Sequence, residues 1–252
     1  MMAGARDLRV VVATALLLFM ALVPLYAWLA DDVYVLTYFG RMLAFALAAL
    51  GLNLALGFGG MASLGHAMYI GFGAYTVGIL STLGVANGWL HLAVTLLVTL
   101  LIAIPVGWIA LRTRGMAFIM ITLAFAQLFF YVFVSLRPFG GDEGLSLTQL
   151  SDFGALTGNK YAIYLSLLLS VLAALWFVGR VVDSRFGLVL RASRFNARRV
   201  NALGTASRPY QLVAYVISAQ ICAVAGYFMA NLNGFVSPAM MSWLVSAELM
   251  VM

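Results

Sequence analysis

Apolar runs of about 20 residues, the length a helix needs to cross the hydrocarbon core of a bilayer, recur at 10–30, 34–56, 64–83, 89–111, 116–136, 161–179 and 211–232. The pattern predicts seven spanning helices. An eighth apolar run opens at Trp243 and stops at Met252, too short to cross, and reads as a truncated span. The first run follows Arg6 and Arg9 as a signal peptide would. It is longer than a signal's apolar core, however, and Trp28 spoils a small-residue cleavage site before Asp31, so it reads as a retained anchor. The expected fold is all-α: a polytopic transmembrane helical bundle forming one domain over 1–252. No soluble domain, low-complexity tract or internal repeat is visible.

The polar segments between the runs are asymmetric. With the N-terminus in the cytoplasm, Arg6, Arg9, Arg112, Arg114 and the seven Arg from Arg180 to Arg208 are cytoplasmic. Only Arg137 and Lys160 fall outside, together with Asp31, Asp32, Asp142, Glu143 and Asp152. The basic bias therefore predicts an inside N-terminus, an inside loop at 180–210 and an outside loop at 137–160.

Composition sharpens this picture. At 65% hydrophobic and 9% charged residues, against roughly 45–50% and 25% in soluble domains, too few polar side chains exist to coat a water-facing surface. The net charge of +6 is membrane topology rather than a nucleic-acid footprint, because the Arg residues sit between apolar runs. One cysteine, Cys222, excludes an internal disulfide, and with His66 and His91 the only histidines a metal site is not expected. A phosphate-binding loop needs Lys followed by Ser or Thr, yet the single Lys160 precedes Tyr161. Any ATP must be hydrolysed by a partner, and no catalytic cluster suggests an enzyme.

Small residues recur at helical spacing in three runs: Ala44, Ala48, Gly51 and Ala55; Ala67, Gly71, Ala74 and Gly78; Ala219, Ala223, Gly226 and Ala230. Such stripes let helix backbones approach closely in lipid. Arg41, inside the second run, reads as snorkelling to the outer headgroups. His66 lies in Ser63-Leu64-Gly65-His66, a break between the second and third runs, and reads as a structural histidine capping backbone groups. Asn53, Gln127, Asn231 and Asn233 either tie helices together or line a polar path. Glu248 is the only acid in an apolar run, which weighs against a proton-driven carrier.

Between Ser184, a candidate N-cap, and Gly204, a stop signal before Pro209, the sequence predicts an amphipathic helix. Arg191, Arg194 and Arg198 fall within a 60-degree arc at 100 degrees per residue, with Phe186, Val189, Leu190, Ala197 and Val200 roughly opposite. Such a helix either lies on anionic headgroups or docks into a soluble partner.

Residues 51–80 carry a Gly-Leu-Asn start, a Ser-Leu-Gly-His centre and a Gly-Ala-Tyr end. Residues 111–127, the Arg-rich loop with Ala202-Leu203-Gly204, residues 210–238 ending Gly-Phe-Val-Ser-Pro, and Ala247-Glu248-Leu249-Met250 follow. In combination and order these blocks resemble the membrane permease subunit of branched-chain amino acid ABC importers. The resemblance implies that 184–204 is a coupling helix for the ATP-binding subunit, with Arg191, Arg194, Arg198, Arg199 and Gly204 as its marked residues. Gly204 matches the Gly of the importers' Glu-Ala-Ala...Gly pattern, whereas Ala197, Arg198 and Arg199 stand where an acid is expected. It further implies a non-enzymatic permease subunit in a bacterial inner membrane, carrying branched-chain amino acids or a related small amide such as urea. Its implied partners are cytoplasmic ATP-binding subunits, a second homologous permease subunit and a periplasmic substrate-binding protein, with no cofactor of its own. The candidate path residues are Asn53, Ser63, His66, Gly71, Tyr75 and Gln127, with Phe72 beside them. The alternative reading is a secondary carrier or channel for small amino acids, which needs coupling-ion ligands at mid-membrane.

Overall fold

The computed structural model describes residues 15–27, 33–152 and 160–252. Each apolar run becomes a helix: α1 (Ala15–Ala27), α2 (Val33–Asn53), α3 (His66–Thr82), α4 (Gly88–Ala110), α5 (Met116–Ser135), α6 (Lys160–Val182), α8 (Ser207–Asn233) and α9 (Trp243–Val251). The Arg-rich segment forms α7 (Arg185–Ala202). Arg6, Arg9, Asp31 and Asp32 lie outside the described residues. Five helical stretches among the described residues are long and apolar enough to cross a membrane: Tyr34–Phe58, Gly88–Ala110, Met116–Ser135, Lys160–Val182 and Ser207–Asn233. The chain is an all-α polytopic membrane bundle.

Two features depart from the sequence pattern. The run at 64–83 yields α3, a helix of only 17 residues in which 14 are buried, so it is a central core helix surrounded by protein. Hydropathy alone does not separate such a helix from a lipid-facing one, because both are apolar on every side. The second departure is a pair of two-residue strands, β1 (Leu145–Ser146) and β2 (Phe235–Val236), joined antiparallel at one end of the bundle.

The hub is α8, against which α2, α3 and α4 pack. Its predicted stripe of Ala219, Ala223, Gly226 and Ala230 is wholly buried. A Cβ built on Gly226 would fall on the backbone of Ile70 in α3, and one built on Gly73 would fall on Ala223. Backbone meets backbone there. The α2 stripe is buried as well, with Gly51 against Ser218 and Ile221 of α8. The α3 stripe packs differently: Gly71 meets Met241, Gly78 meets Leu145, and the Ala67 amide donates to Ser246 Oγ at 2.9 Å. The α8-facing glycine of α3 is Gly73, about 200 degrees round the helix from Gly71.

Charge separates the two ends. The turn at 59–65, the loop at 111–115, α7 and the start of α8 form a basic end that holds Arg112, Arg114, Arg194, Arg198 and Arg208. The opposite end is closed by the segment 137–152. Thr148 Oγ1 donates to the Ser81 carbonyl and the Gln149 amide to Ser81 Oγ, each at 2.9 Å. The Ser151 amide donates to Asn231 Oδ1 at 3.0 Å, and Ser151 Oγ pairs with His91 Nδ1 at 2.7 Å. Arg41 is exposed, and its Nε donates to Asn233 Oδ1 at 2.6 Å at the close of α8.

Candidate translocation and coupling sites

The helical ladder of α2 changes at Asn53. Residues Leu54–Phe58 form a π-helical turn, a form found mostly as single turns and frequently at functional sites. The Asn53 carboxamide lies over the Gly57 Cα, where a Cβ would make it swing aside. The chain then turns through 59–65 into α3. Asn53 itself is exposed and lines an apolar groove of about 900 Å³ together with α1, α6 and α9 side chains.

Ser63 in this turn and His66 at the start of α3 are fully buried. Ser63 Oγ accepts from the Gly65 amide at 3.2 Å. Ser218 Oγ donates to the Gly51 carbonyl at 2.6 Å, which commits its single proton. His66 Nε2, 2.9 Å from the same oxygen, must therefore be the donor, and Nδ1 is left as a buried acceptor without a partner among the described residues. His66 thus ties α3 to α8 and, through Ser218, to α2. This differs from the expected role of capping backbone groups, for the ring reaches a hydroxyl that sequence distance concealed. Tyr69 OH donates to Tyr215 OH at 3.1 Å, and both rings stand edge-on to His66.

The remaining candidates are dispersed. Gly71 is filled over by Met241. Tyr75 is buried with its ring 4.4 Å from that of Phe133, and its hydroxyl finds no partner among the described residues. Phe72 stacks edge-on between Phe129 and Phe133. Gln127 is half-buried on α5 and is not joined to the His66 cluster. Ser218, Tyr69 and Tyr215 were not singled out by the sequence. The spacing of Tyr215, Ser218 and Cys222 on one face of α8 is the signal that marks two of them.

At the basic end, Ser184 is the N-cap of α7, its Oγ accepting from the Gly187 amide at 3.4 Å. The helix is not straight. Asn196 has extended backbone angles (φ −156, ψ 91) and its Oδ1 accepts from the Arg199 amide at 3.1 Å, restarting the helix after a kink. The kink breaks the arc predicted for Arg191, Arg194 and Arg198. Arg191 folds back onto the carbonyls of Gly187 and Val182, and Arg194 reaches the Gly57 carbonyl at the end of the π turn. The Val182 and Gly57 carbonyls lie at C-terminal helix ends, where backbone acceptors lack intrahelical partners. Arg198 and Arg199 stay exposed. The face packed inward consists of Gly187, Leu190, Ser193, Ala197 and Val200, with Phe186 on Tyr210. Outward stand Leu188, Phe195 and Leu203, the last two 86% and 85% exposed. Gly204 ends the helix with φ +85, its amide donating to the Asn201 carbonyl at 3.0 Å.

A groove of about 480 Å³ runs between α7, the 59–62 turn and the 111–115 loop, lined in part by Arg114, Arg194 and Arg198. The π turn and α7 are therefore mechanically joined, through Arg194, at the edge of an open basic groove.

The profile of the branched-chain amino acid transport system permease component family matches residues 34–252. The chain belongs to this permease family. The family is a membrane component, not an enzyme. This permease is 26% identical over 228 residues to the high-affinity branched-chain amino acid transport system permease protein LivM of Escherichia coli K12, covering 81% of this chain and 54% of LivM. The LivM of Salmonella typhimurium LT2 gives the same figures. The permease protein LivH of Escherichia coli K12 is 26% identical over 216 residues, covering 77% of this chain and 68% of LivH. This permease spans about half the length of the LivM proteins. No solved structure matches it.

Proposed function

We propose that this chain is a permease subunit of an ATP-driven importer that passes branched-chain amino acids, or a related small amide, into a bacterial cytoplasm across the inner membrane. In this reading the basic end faces the cytoplasm, with the N-terminus inside and the 137–152 segment outside. A second homologous permease completes the pore, cytoplasmic ATP-binding subunits drive it, and a periplasmic binding protein delivers substrate to the outer face. The observation that carries this reading is α7. One of its faces is buried on the bundle while Phe195 and Leu203 stand exposed, an exposure that a docked subunit would remove. The Arg194 bond to Gly57 gives that docking a route to the π turn, Asn53 and the His66 cluster. The small and aromatic residues around Phe72 and Tyr75 suit an apolar substrate side chain.

The test uses the assembled transporter. Phe195→Asp alters a side chain that the fold leaves exposed, so the subunit should insert normally while co-purification of ATP-binding subunits and substrate-stimulated ATP hydrolysis fall together. Wild-type coupling in that variant would remove α7 from the mechanism. The secondary-carrier alternative is separated by ATP depletion with the ion gradient held: uptake that continues favours the carrier.

A further inference from the structure

The outer surface of α4 carries Leu97, Leu101, Ile104 and Trp108, all exposed and all within a 60-degree arc at 100 degrees per residue. The stripe runs along α4 and ends at the basic end in a groove of about 540 Å³. Trp108, Leu111 and Arg112 from the close of α4, with Arg208, Pro209 and Leu212 from the start of α8, line it. Among the described residues no carboxylate lines the groove. The Arg112 guanidinium lies 3.8 Å over the Trp108 ring. Stacking occupies the flat face of the guanidinium and leaves its in-plane N–H groups free to donate in a fork. Trp108, 56% exposed, is an amphipathic ring at the position where an interfacial tryptophan belongs.

We propose that this groove binds one anionic phospholipid of the cytoplasmic leaflet. An acyl chain runs along Leu97, Leu101 and Ile104, and the headgroup phosphate is held between Arg112 and Arg208. The charge is complementary, and the ligand is amphipathic in the same direction as the site: apolar stripe, interfacial ring, then two cations. A soluble protein partner would satisfy the arginines but would have no use for the stripe. Arg112 and Arg208 belong to α4 and α8, so a bound phosphate bridges the helix that faces lipid to the hub of the bundle. No residue of α7 is among those lining the groove.

The experiment is native mass spectrometry of the intact transporter released from detergent and titrated with phosphatidylglycerol or phosphatidylcholine, with inorganic phosphate as competitor. The expected result is one tightly bound phosphatidylglycerol per chain, absent with phosphatidylcholine and resistant to millimolar phosphate. Arg112→Gln with Arg208→Gln should weaken it roughly 30-fold, the product of two basic contacts of usual strength near anionic lipid. The Arg112→Lys, Arg208→Lys pair should weaken it less, which guards against a merely misfolded variant. Equal binding of phosphatidylglycerol by wild type and the Gln pair overturns the proposal. Displacement of the lipid by inorganic phosphate also overturns it, in favour of a free-anion site. Loss of the ATP-binding subunit from the Gln pair with lipid binding unchanged overturns it in favour of a protein contact.

Discussion

The contact between α3 and α8 makes a quantitative demand on Gly226. A Cβ placed there would stand 2.7 Å from the carbonyl carbon of Ile70 and 2.9 Å from its Cα, with the carbonyl oxygen nearer still. Ordinary contact begins near 3.4 Å, so relieving the carbon alone requires about 0.7 Å of helix separation. These are backbone atoms of a buried helix and have no rotamer to yield. Gly226→Ala should therefore cost toward the upper end of the overpacking range, about 2–3 kcal/mol, or roughly 5–10 °C in melting temperature for a domain of this size. Gly51 gives an intermediate case. Its Cβ would meet Ser218 O and Ile221 Cβ at 3.0 Å, a shortfall of a few tenths of an ångström, and Gly51→Ala should cost about 1 kcal/mol. Gly179 on α6 has nothing within 4 Å, and Gly179→Ala should leave stability unchanged or slightly raised through helix propensity. Melting is followed by tryptophan fluorescence of the detergent-purified protein, with size-exclusion recovery after heating as a second readout. The predicted order is Gly179→Ala, then Gly51→Ala, then Gly226→Ala as least stable. If Gly226→Ala melts with Gly179→Ala, the backbone-on-backbone contact between α3 and α8 is wrong.

Other expectations follow from single residues. Gly204→Val forces a β-branched residue into φ +85 at a cost of about 1–2 kcal/mol; the subunit should insert normally, yet substrate-stimulated ATP hydrolysis and uptake should both fall, and normal values for both would refute it. Arg198→Gln with Arg199→Gln should lower these less, because Gln keeps much of the stem and of the hydrogen-bonding capacity; a headgroup-bound helix reverses that ranking. Ser218→Ala leaves the His66 Nε2–H buried without its acceptor and should destabilise by about 1–3 kcal/mol, measured by the same melts; a neutral result would show that His66 repartners. For topology, Ser151 and Ser193 are buried, so with Cys222→Ser the informative single cysteines are Glu143→Cys and Arg185→Cys, both exposed. An impermeant reagent should label only Glu143→Cys in intact cells, and labelling of both would refute the orientation.

Hydrophobic run length by itself determined that this is a polytopic membrane protein and nearly where each helix lies, because the bilayer imposes a length and an apolar composition that no folding detail alters. Short-range signals were equally legible. Ser184 starts α7 and Gly204 ends it in the left-handed conformation, since capping depends on residues only three or four apart. The block order over residues 51–250 pointed to the family that residues 34–252 match. Tertiary structure decided what one-dimensional periodicity cannot carry. It made α3 an interior helix, chose Gly73 rather than Gly71 to face α8, and brought Ser218 to His66 across 152 residues. It also divided the arginines of α7 by a kink at Asn196, where a side chain capping the next turn outweighs helical continuity. In each case the deciding partner lies on another helix or depends on a backbone angle, and a pattern read along one helix holds neither.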